Sequence, residues 1–165
     1  MTAQTQFPTT DHTLATLPDL SRRADRVRLS AALPAVIRML DAWHLTREQQ
    51  AELLTLSVRT VQRASKSADV PELSADQLTR LSLITGIYKA LHTLYTLSPD
   101  TWPQRPNNRH PFLGRTPLEL MLTSGIPGLL AVRRLLDGDR SGQYSASPQA
   151  RAEAARLPQP DINLD

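Results

Sequence analysis

The sequence predicts an all-α protein in which a long central helix separates an N-terminal from a C-terminal group of shorter helices. Apolar residues recur every three or four positions, the spacing that gathers them on one face of a helix. Thr46, Ser74 and Thr116 each have Gln or Glu three residues later, the pattern of a helix N-terminus. We find no segment with the apolar–polar alternation of a half-buried strand.

The composition limits what the protein can be. With two Phe, two Trp and three Tyr in 165 residues, the core must be mainly aliphatic. The absence of cysteine excludes a disulfide framework and fits a reducing cytoplasm. Neither a signal peptide near Met1 nor an apolar run of about 20 residues is present. We therefore expect a soluble, cytoplasmic protein with no membrane partner.

Basic residues are concentrated in the first half. Seventeen of the nineteen basic residues of the chain are Arg, which forks onto phosphates and carboxylates. Between Leu20 and Lys66, nine basic residues face four acidic ones. This half therefore favours a nucleic-acid partner.

The chain begins with residues 1–19, rich in Thr, Gln and Pro, which we predict to be a disordered leader. Leu20 to His44 predicts one or two helices, broken near Leu33-Pro34. The following residues form a core-facing stripe at helical spacing: Leu33, Val36, Ile37, Leu40 and Trp43.

A helix-turn-helix is predicted within residues 20–70. Thr46 caps the first of its two helices, Thr55-Leu56-Ser57 forms the turn, and Ser57 caps the second, from Val58 to Ser65. The second helix fits a major groove, where Arg can bond guanine or phosphate and Gln can pair with adenine. The candidate DNA-binding residues are Arg47, Gln49, Ser57, Arg59, Thr60, Gln62, Arg63 and Lys66. The alternative is a solvated polar face on a hairpin that only packs or dimerises.

The central helix is predicted to start after Ser74 and to run about six turns to Leu97. Two adjacent apolar stripes indicate burial by several neighbours. They are Leu81, Ile84, Tyr88, Leu91 and Tyr95, and Leu83, Ile87, Ala90, Leu94 and Leu97. The proline-rich segment Thr101 to Pro111 is predicted to be a rigid, extended loop rather than a helix.

Two short helices are predicted to follow and to pack across the central one. The first starts at Thr116-Pro117 and ends at Gly125, and Ile126-Pro127 opens the second. The second exposes a polar face, made of Arg133, Arg134, Asp137 and Arg140, near the loop with Asn107, Arg109 and His110. Such an Arg-rich face favours a protein partner, with plain solubility as the alternative. Residues 143–165 form a polar tail, either frayed or ordered only on binding.

Two motifs resemble the Xre/MbcA/ParS antitoxin family. The first motif runs from Phe112 to Glu119 and continues with Gly-Ile-Pro, Ala131 to Asp137 and Gly142. It resembles the toxin-binding domain of the family, and the resemblance covers about Leu73 to Gly142. The other resembles the helix-turn-helix of Xre-type regulators, with Thr55 where glycine is commoner. It consists of Ala51, Leu54, Leu56, Ser57, Thr60-Val61 and Arg63. Ser141-Gly142 stands where many relatives have paired glycines.

The resemblance implies the antitoxin of a type II toxin-antitoxin system, with residues 71–142 as a helical toxin-binding domain. It implies a homodimer that binds its own promoter DNA and occludes a RES-domain toxin, an enzyme that consumes NAD. No cofactor is implied. The candidate toxin-binding residues are Asn107, Arg109, His110, Arg115, Arg133, Arg134, Asp137 and Arg140.

Catalysis is not indicated, because the four His are far apart in sequence and no glycine-rich phosphate loop is present. We expect His92 to be a core or partner-facing residue. Two other functions stay open: a stand-alone regulator whose C-terminal domain dimerises or senses a ligand, and an interaction module whose DNA-binding half has decayed. A pocket of aromatic side chains would favour ligand sensing, and the candidates are Tyr88, Tyr95, Trp102 and Phe112.

Overall fold

The computed structural model describes residues 18–67 and 70–141, and every regular element within those ranges is helical. The helices are α1 (Arg23–Ser30), α2 (Leu33–Ala42), α3 (Arg47–Leu54), α4 (Val58–Lys66), α5 (Ala75–Leu94), a 3-10 helix (Pro99–Gln104) and α6 (Pro117–Arg140). The all-α prediction is confirmed. The predictions for the leader before Pro18 and for the tail 143–165 lie outside the described residues.

One hydrophobic core runs through the described helices, with α5 at its centre. The predicted stripe of α2 is confirmed, since its five residues from Leu33 to Trp43 are all buried. Both predicted stripes of α5 contribute, and their fully inward members are Leu81, Ile84, Ile87, Ala90 and Leu91. From the N-terminal half α1, α2 and α3 pack against α5, and from the C-terminal half the 3-10 helix and α6 do so. A helix contacted from both sides has no fully polar face, which explains its wide apolar surface.

Helix α1 is fastened to the segment that leads into α5. The Ser30 hydroxyl accepts a hydrogen bond from the Leu73 amide at 2.9 Å. Glu72 accepts hydrogen bonds from Arg23 at 2.8 Å and from Arg26 at 2.9 Å. The bond from Arg23, together with that from Arg26, holds the pKa of Glu72 below its ordinary value.

The three predicted capping boxes are confirmed: Thr46 with Gln49, Ser74 with Gln77 and Thr116 with Glu119. The predicted break at Gly125 is also present. This residue has φ 58° and ψ −133° and kinks α6 into two helical halves. An L-residue rarely adopts that conformation, so glycine is required there.

Two predictions about the end of α5 are wrong. The helix stops at Leu94, and Leu97 is 86% exposed rather than part of a buried stripe. Tyr95 is extended, and its ring stacks on Trp102 with centroids 6.3 Å apart. The segment predicted to be extended instead begins within the 3-10 helix Pro99–Gln104. Proline suits such a helix because its fixed φ is compatible and its missing N–H is not needed in the first turn.

The turn between α3 and α4 places Thr55 in a left-handed conformation, with φ 53° and ψ 44°. The Leu56 amide donates a hydrogen bond to the Ala51 carbonyl at 2.9 Å, and the Thr55 amide donates one to the Glu52 carbonyl at 3.1 Å. This is the Schellman arrangement that ends many helices, and glycine is its preferred residue.

Thr55→Gly is therefore expected to raise the free energy of unfolding by about 0.5–1 kcal/mol. Glycine relieves the strain of the left-handed backbone, and this gain exceeds the entropy that glycine adds to the unfolded chain. Urea denaturation measures the change. Ala31→Gly is the control, because Ala31 ends α1 with an ordinary φ of −59°. We expect that variant to lose stability, and a loss for both variants would contradict the assignment of strain to Thr55.

Candidate functional sites

The exposed face of α4 carries a group of polar side chains. Arg59, Gln62, Arg63 and Lys66 line a shallow, open depression, while Val61 and Ala64 on the opposite side are buried. Within residues 18–67 and 70–141, the three cationic side chains of this group form no ion pair. A positive face without internal partners can bond phosphates or base edges directly.

The other four predicted DNA-binding residues are partly engaged within the protein. The Ser57 hydroxyl accepts from the Thr60 amide at 3.0 Å and lies 2.8 Å from the Thr60 hydroxyl. The Gln49 side chain is the acceptor of its capping box at 3.0 Å. Arg47, at the start of α3, bonds Asp41 at 3.0 Å and the side chain of Gln50 at 2.8 Å.

Two residues that sequence reasoning did not select hold this motif in place. Gln77 Nε2 donates to the Thr55 carbonyl at 2.9 Å, and Arg80 Nη1 donates to the Leu53 carbonyl at 3.1 Å. Both carbonyls are at the end of α3, where a helix leaves its acceptors unsatisfied. Arg80 also bonds Asp76 at 2.8 Å and passes close to Gly125 in the kink of α6. The start of α5 thus fixes the turn that orients α4.

A second candidate site is the loop before α6. Its two arms pair through Asn107, whose amide bonds the Arg115 carbonyl at 3.1 Å and whose carbonyl accepts from Gly114 at 2.9 Å. Arg109 bonds both carboxylate oxygens of Asp139 at 2.8 and 2.7 Å. This bidentate pair ties the loop to the last turn of α6. His110 is exposed on the same loop.

The predicted polar face of α6 is a small network rather than four separate charges. Arg133 Nε donates to Asp137 at 2.7 Å, and Arg140 lies 3.4 Å from the other oxygen of Asp137. The Arg133 guanidinium lies against the backbone of α5 at Gly86, where a β-carbon would overlap it. Arg134 is exposed and forms no ion pair within the described ranges.

Arg115, between the loop and α6, is exposed, and its Nε donates a long hydrogen bond of 3.4 Å to the Phe112 carbonyl. The predicted partner-binding Arg and Asp residues thus fall into two groups. Arg109, Arg133, Asp137 and Arg140 are engaged with other charged side chains. The exposed cations Arg115 and Arg134 leave their charge available to another molecule.

The four aromatic residues proposed as a ligand pocket pack mainly on other rings. Tyr95 stacks on Trp102, and the Trp102 ring meets Phe112 edge-on at 5.9 Å. Tyr88 stacks on His92 at 4.1 Å, and burial raises the pKa of its hydroxyl. An apolar cavity of about 550 Å³ lies elsewhere, between α1 and α5, and none of the four aromatic residues lines it.

His92 contacts neighbouring groups of its own domain. Its Nδ1 lies 3.0 Å from the Tyr88 carbonyl and its Nε2 lies 3.5 Å from Asp100. Among the residues that the structure describes, no three His, Cys, Asp or Glu side chains are placed to hold a metal ion. No helix in the same ranges is long and apolar enough to cross a membrane.

Fold and sites together define a helix-turn-helix protein with a second helical module built on a shared central helix. Residues 22–86 match the family model of the antitoxin Xre-like helix-turn-helix domain. Residues 100–142 match that of the antitoxin Xre/MbcA/ParS C-terminal toxin-binding domain. The chain belongs to the Xre/MbcA/ParS antitoxin family, as its motifs predicted.

A curated relative is the uncharacterized protein y4oB of Sinorhizobium fredii. It is 36% identical over 124 residues, which cover 74% of this chain and 94% of y4oB. No solved structure matches the chain.

Proposed function

We propose that this chain is the antitoxin of a type II toxin-antitoxin pair, acting in the cytoplasm as a homodimer. It binds and occludes a RES-domain toxin that consumes NAD, and it represses its own promoter through α4. The observation that carries the proposal is the joining of two unlike surfaces through α5. One is the basic face of α4, whose cations form no ion pair in the part of the chain that the structure describes, and the other is the fixed loop and polar face of α6.

Occlusion requires no chemistry from the antitoxin. It is enough that the bound antitoxin covers the approach to an active site that handles a phosphate-bearing dinucleotide. Arg115 and Arg134 supply exposed positive charge in this part of the chain. The RES class itself is taken from the resemblance of the motifs between Phe112 and Gly142.

The proposal is tested by expressing the protein encoded by the adjacent reading frame, alone and together with this chain. Expression alone is expected to stop growth and to deplete NAD, and co-expression is expected to restore both. Purified together, the two proteins should elute as one complex. An adjacent protein that is harmless alone, or that stays toxic and separate when this chain is present, would count against the proposal.

If the protein represses its own promoter through α4, replacing basic residues of α4 should weaken DNA binding by a measurable amount. Arg63→Ala is expected to weaken binding to the upstream DNA by about 1–3 kcal/mol if Arg63 contacts a base. Lys66→Ala is expected to reduce the slope of log affinity against log salt by about 1, as for the loss of one phosphate contact. Fluorescence anisotropy across a salt series measures both effects.

Lys89→Ala is the matched control, since Lys89 is an exposed cation on α5 and not on α4. Its affinity and salt slope should equal those of the wild type. If the wild-type protein shows no salt-dependent affinity for its upstream DNA, the face of α4 is a solvated surface and autoregulation is excluded.

A further inference from the structure

Leu113 is an apolar side chain held in solvent by an unfavourable backbone. It is 72% exposed, and its φ is 53°. In this left-handed region the β-carbon of an L-residue crowds the following carbonyl oxygen. Four non-glycine residues in the described ranges have a positive φ, and the other three are polar: His44, Thr55 and Ser98. A bulky, exposed leucine in such a conformation is unusual and points to a role outside the fold.

The surrounding loop holds Leu113 in this conformation. Its amide and that of Phe112 both bond the Arg109 carbonyl, at 3.2 and 2.8 Å. On the other side, the Gly114 amide bonds the Asn107 carbonyl at 2.9 Å. Phe112 is fully buried, so the chain is anchored immediately before Leu113. A backbone fixed in this way loses little conformational entropy when a partner covers the side chain that it presents.

Leu97 provides a useful comparison. It is even more exposed, at 86%, but it is not among the residues with positive φ. A single exposed leucine with an ordinary backbone is normal on a protein surface and requires no explanation. The difference at Leu113 is that the backbone is strained and the loop maintains the strain.

We propose that Leu113 is the apolar anchor of the toxin interface, inserting into an apolar pocket of the toxin that has acidic groups at its edge. The acidic edge follows from the exposed neighbours His110 and Arg115, which flank Leu113 on the loop. A central apolar residue within a polar rim is the usual anatomy of an energetically important contact. The inference rests on the proposed function and adds the side chain on which recognition depends.

The experiment measures binding of the full-length protein to the protein encoded by the adjacent reading frame, by isothermal titration calorimetry. Leu113→Asn removes the apolar side chain but keeps a residue that tolerates a left-handed backbone. We expect it to weaken binding by about thirtyfold or more, as for a buried interface anchor. Its melting temperature should equal or exceed that of the wild type, because the strain is reduced.

Three further variants separate the side chain from the fold. Leu113→Gly removes the same side chain with the residue best suited to this backbone, and it should lose affinity as Leu113→Asn does. Leu113→Met keeps an apolar side chain of similar size and should bind within about threefold of the wild type. Leu97→Asn removes an exposed leucine with an ordinary backbone and should also bind within about threefold.

The outcomes distinguish this inference from the proposed function. If the wild type does not bind the adjacent protein, the proposed function and this inference both fail. If the wild type binds, and Leu113→Asn and Leu113→Gly bind as tightly, this inference alone is overturned. If Leu97→Asn loses as much affinity as Leu113→Asn does, the inference about Leu113 is overturned as well. Loss confined to the Asn and Gly variants supports it.

Discussion

Ile84→Ala is expected to lower the free energy of unfolding by about 2–5 kcal/mol, because deleting buried methyl groups leaves a cavity that the packing fills only partly. Ile84 is fully buried on α5, the helix that packs against both halves of the protein. Chemical denaturation followed by circular dichroism measures the change. The α6 half of the variant should also become sensitive to protease.

Ser82→Ala on the same helix is the control, since Ser82 is exposed. Its free energy of unfolding should stay within about 0.5 kcal/mol of the wild type. Leu91→Ala, at a second fully buried position, should behave as Ile84→Ala does. An unchanged denaturation midpoint for both core variants would show that α5 is not the centre of the core.

Arg134→Glu is expected to abolish neutralisation of the toxin in a co-expression growth assay. A like-charge contact across an interface costs several kcal/mol, enough to lower affinity more than a hundredfold. Arg134 suits this test because it is exposed and has no ion pair within the described ranges, so its replacement leaves the fold intact. Helical content and promoter binding should remain those of the wild type.

Lys89→Glu makes the same charge reversal at an exposed position of α5 and should still neutralise the toxin. A truncation after Gly142 separates the tail from the folded helices. If the truncated protein neutralises, occlusion is assigned to the folded part. If Arg134→Glu neutralises as well as the wild type, the polar face of α6 is not the toxin-binding surface.

The structure changes how Arg133 should be treated in such experiments. Sequence alone groups Arg133 with Arg134, because both stand on the polar side of one helix. In the fold, Arg133 bonds Asp137 and lies against Gly86 of α5. Reversing its charge would disturb the packing of α6 on α5 as well as any interface, so a variant with both Arg133 and Arg134 replaced by Glu could not separate the two effects.

Features decided by neighbouring residues were predictable from the sequence. The capping boxes at Thr46, Ser74 and Thr116 depend on side chains three positions apart, and the stripe of α2 depends on helical spacing alone. The exposed face of α4 follows from the same periodicity. The unusual backbone of Thr55 could be anticipated, since it occupies a position where glycine is commoner.

Features decided by distant residues were not predictable. Helix α5 ends at Leu94, where Tyr95 becomes extended and stacks on Trp102, and nothing in the local pattern distinguishes Leu94 from Leu97 as the last helical residue. Gln77 and Arg80 bond carbonyls 22 and 27 residues earlier in the chain, so periodicity gives no sign of them. The sequence likewise does not show which Arg residues of α6 form ion pairs, because the pairing depends on the fold. The assignment of the predicted site residues to DNA and toxin stays a prediction.

The position of α5 also has a consequence for turnover of the protein in the cell. Helix α5 completes the single core that lies beneath both α4 and α6. Its Arg80 side chain also reaches the end of α3. Neither half can lose this helix and remain packed, so we expect unfolding in one cooperative transition. A cellular protease that captures the open chain would then remove both surfaces together. On the proposed function, degradation would release promoter and toxin in a single event and leave no half-molecule that represses without neutralising.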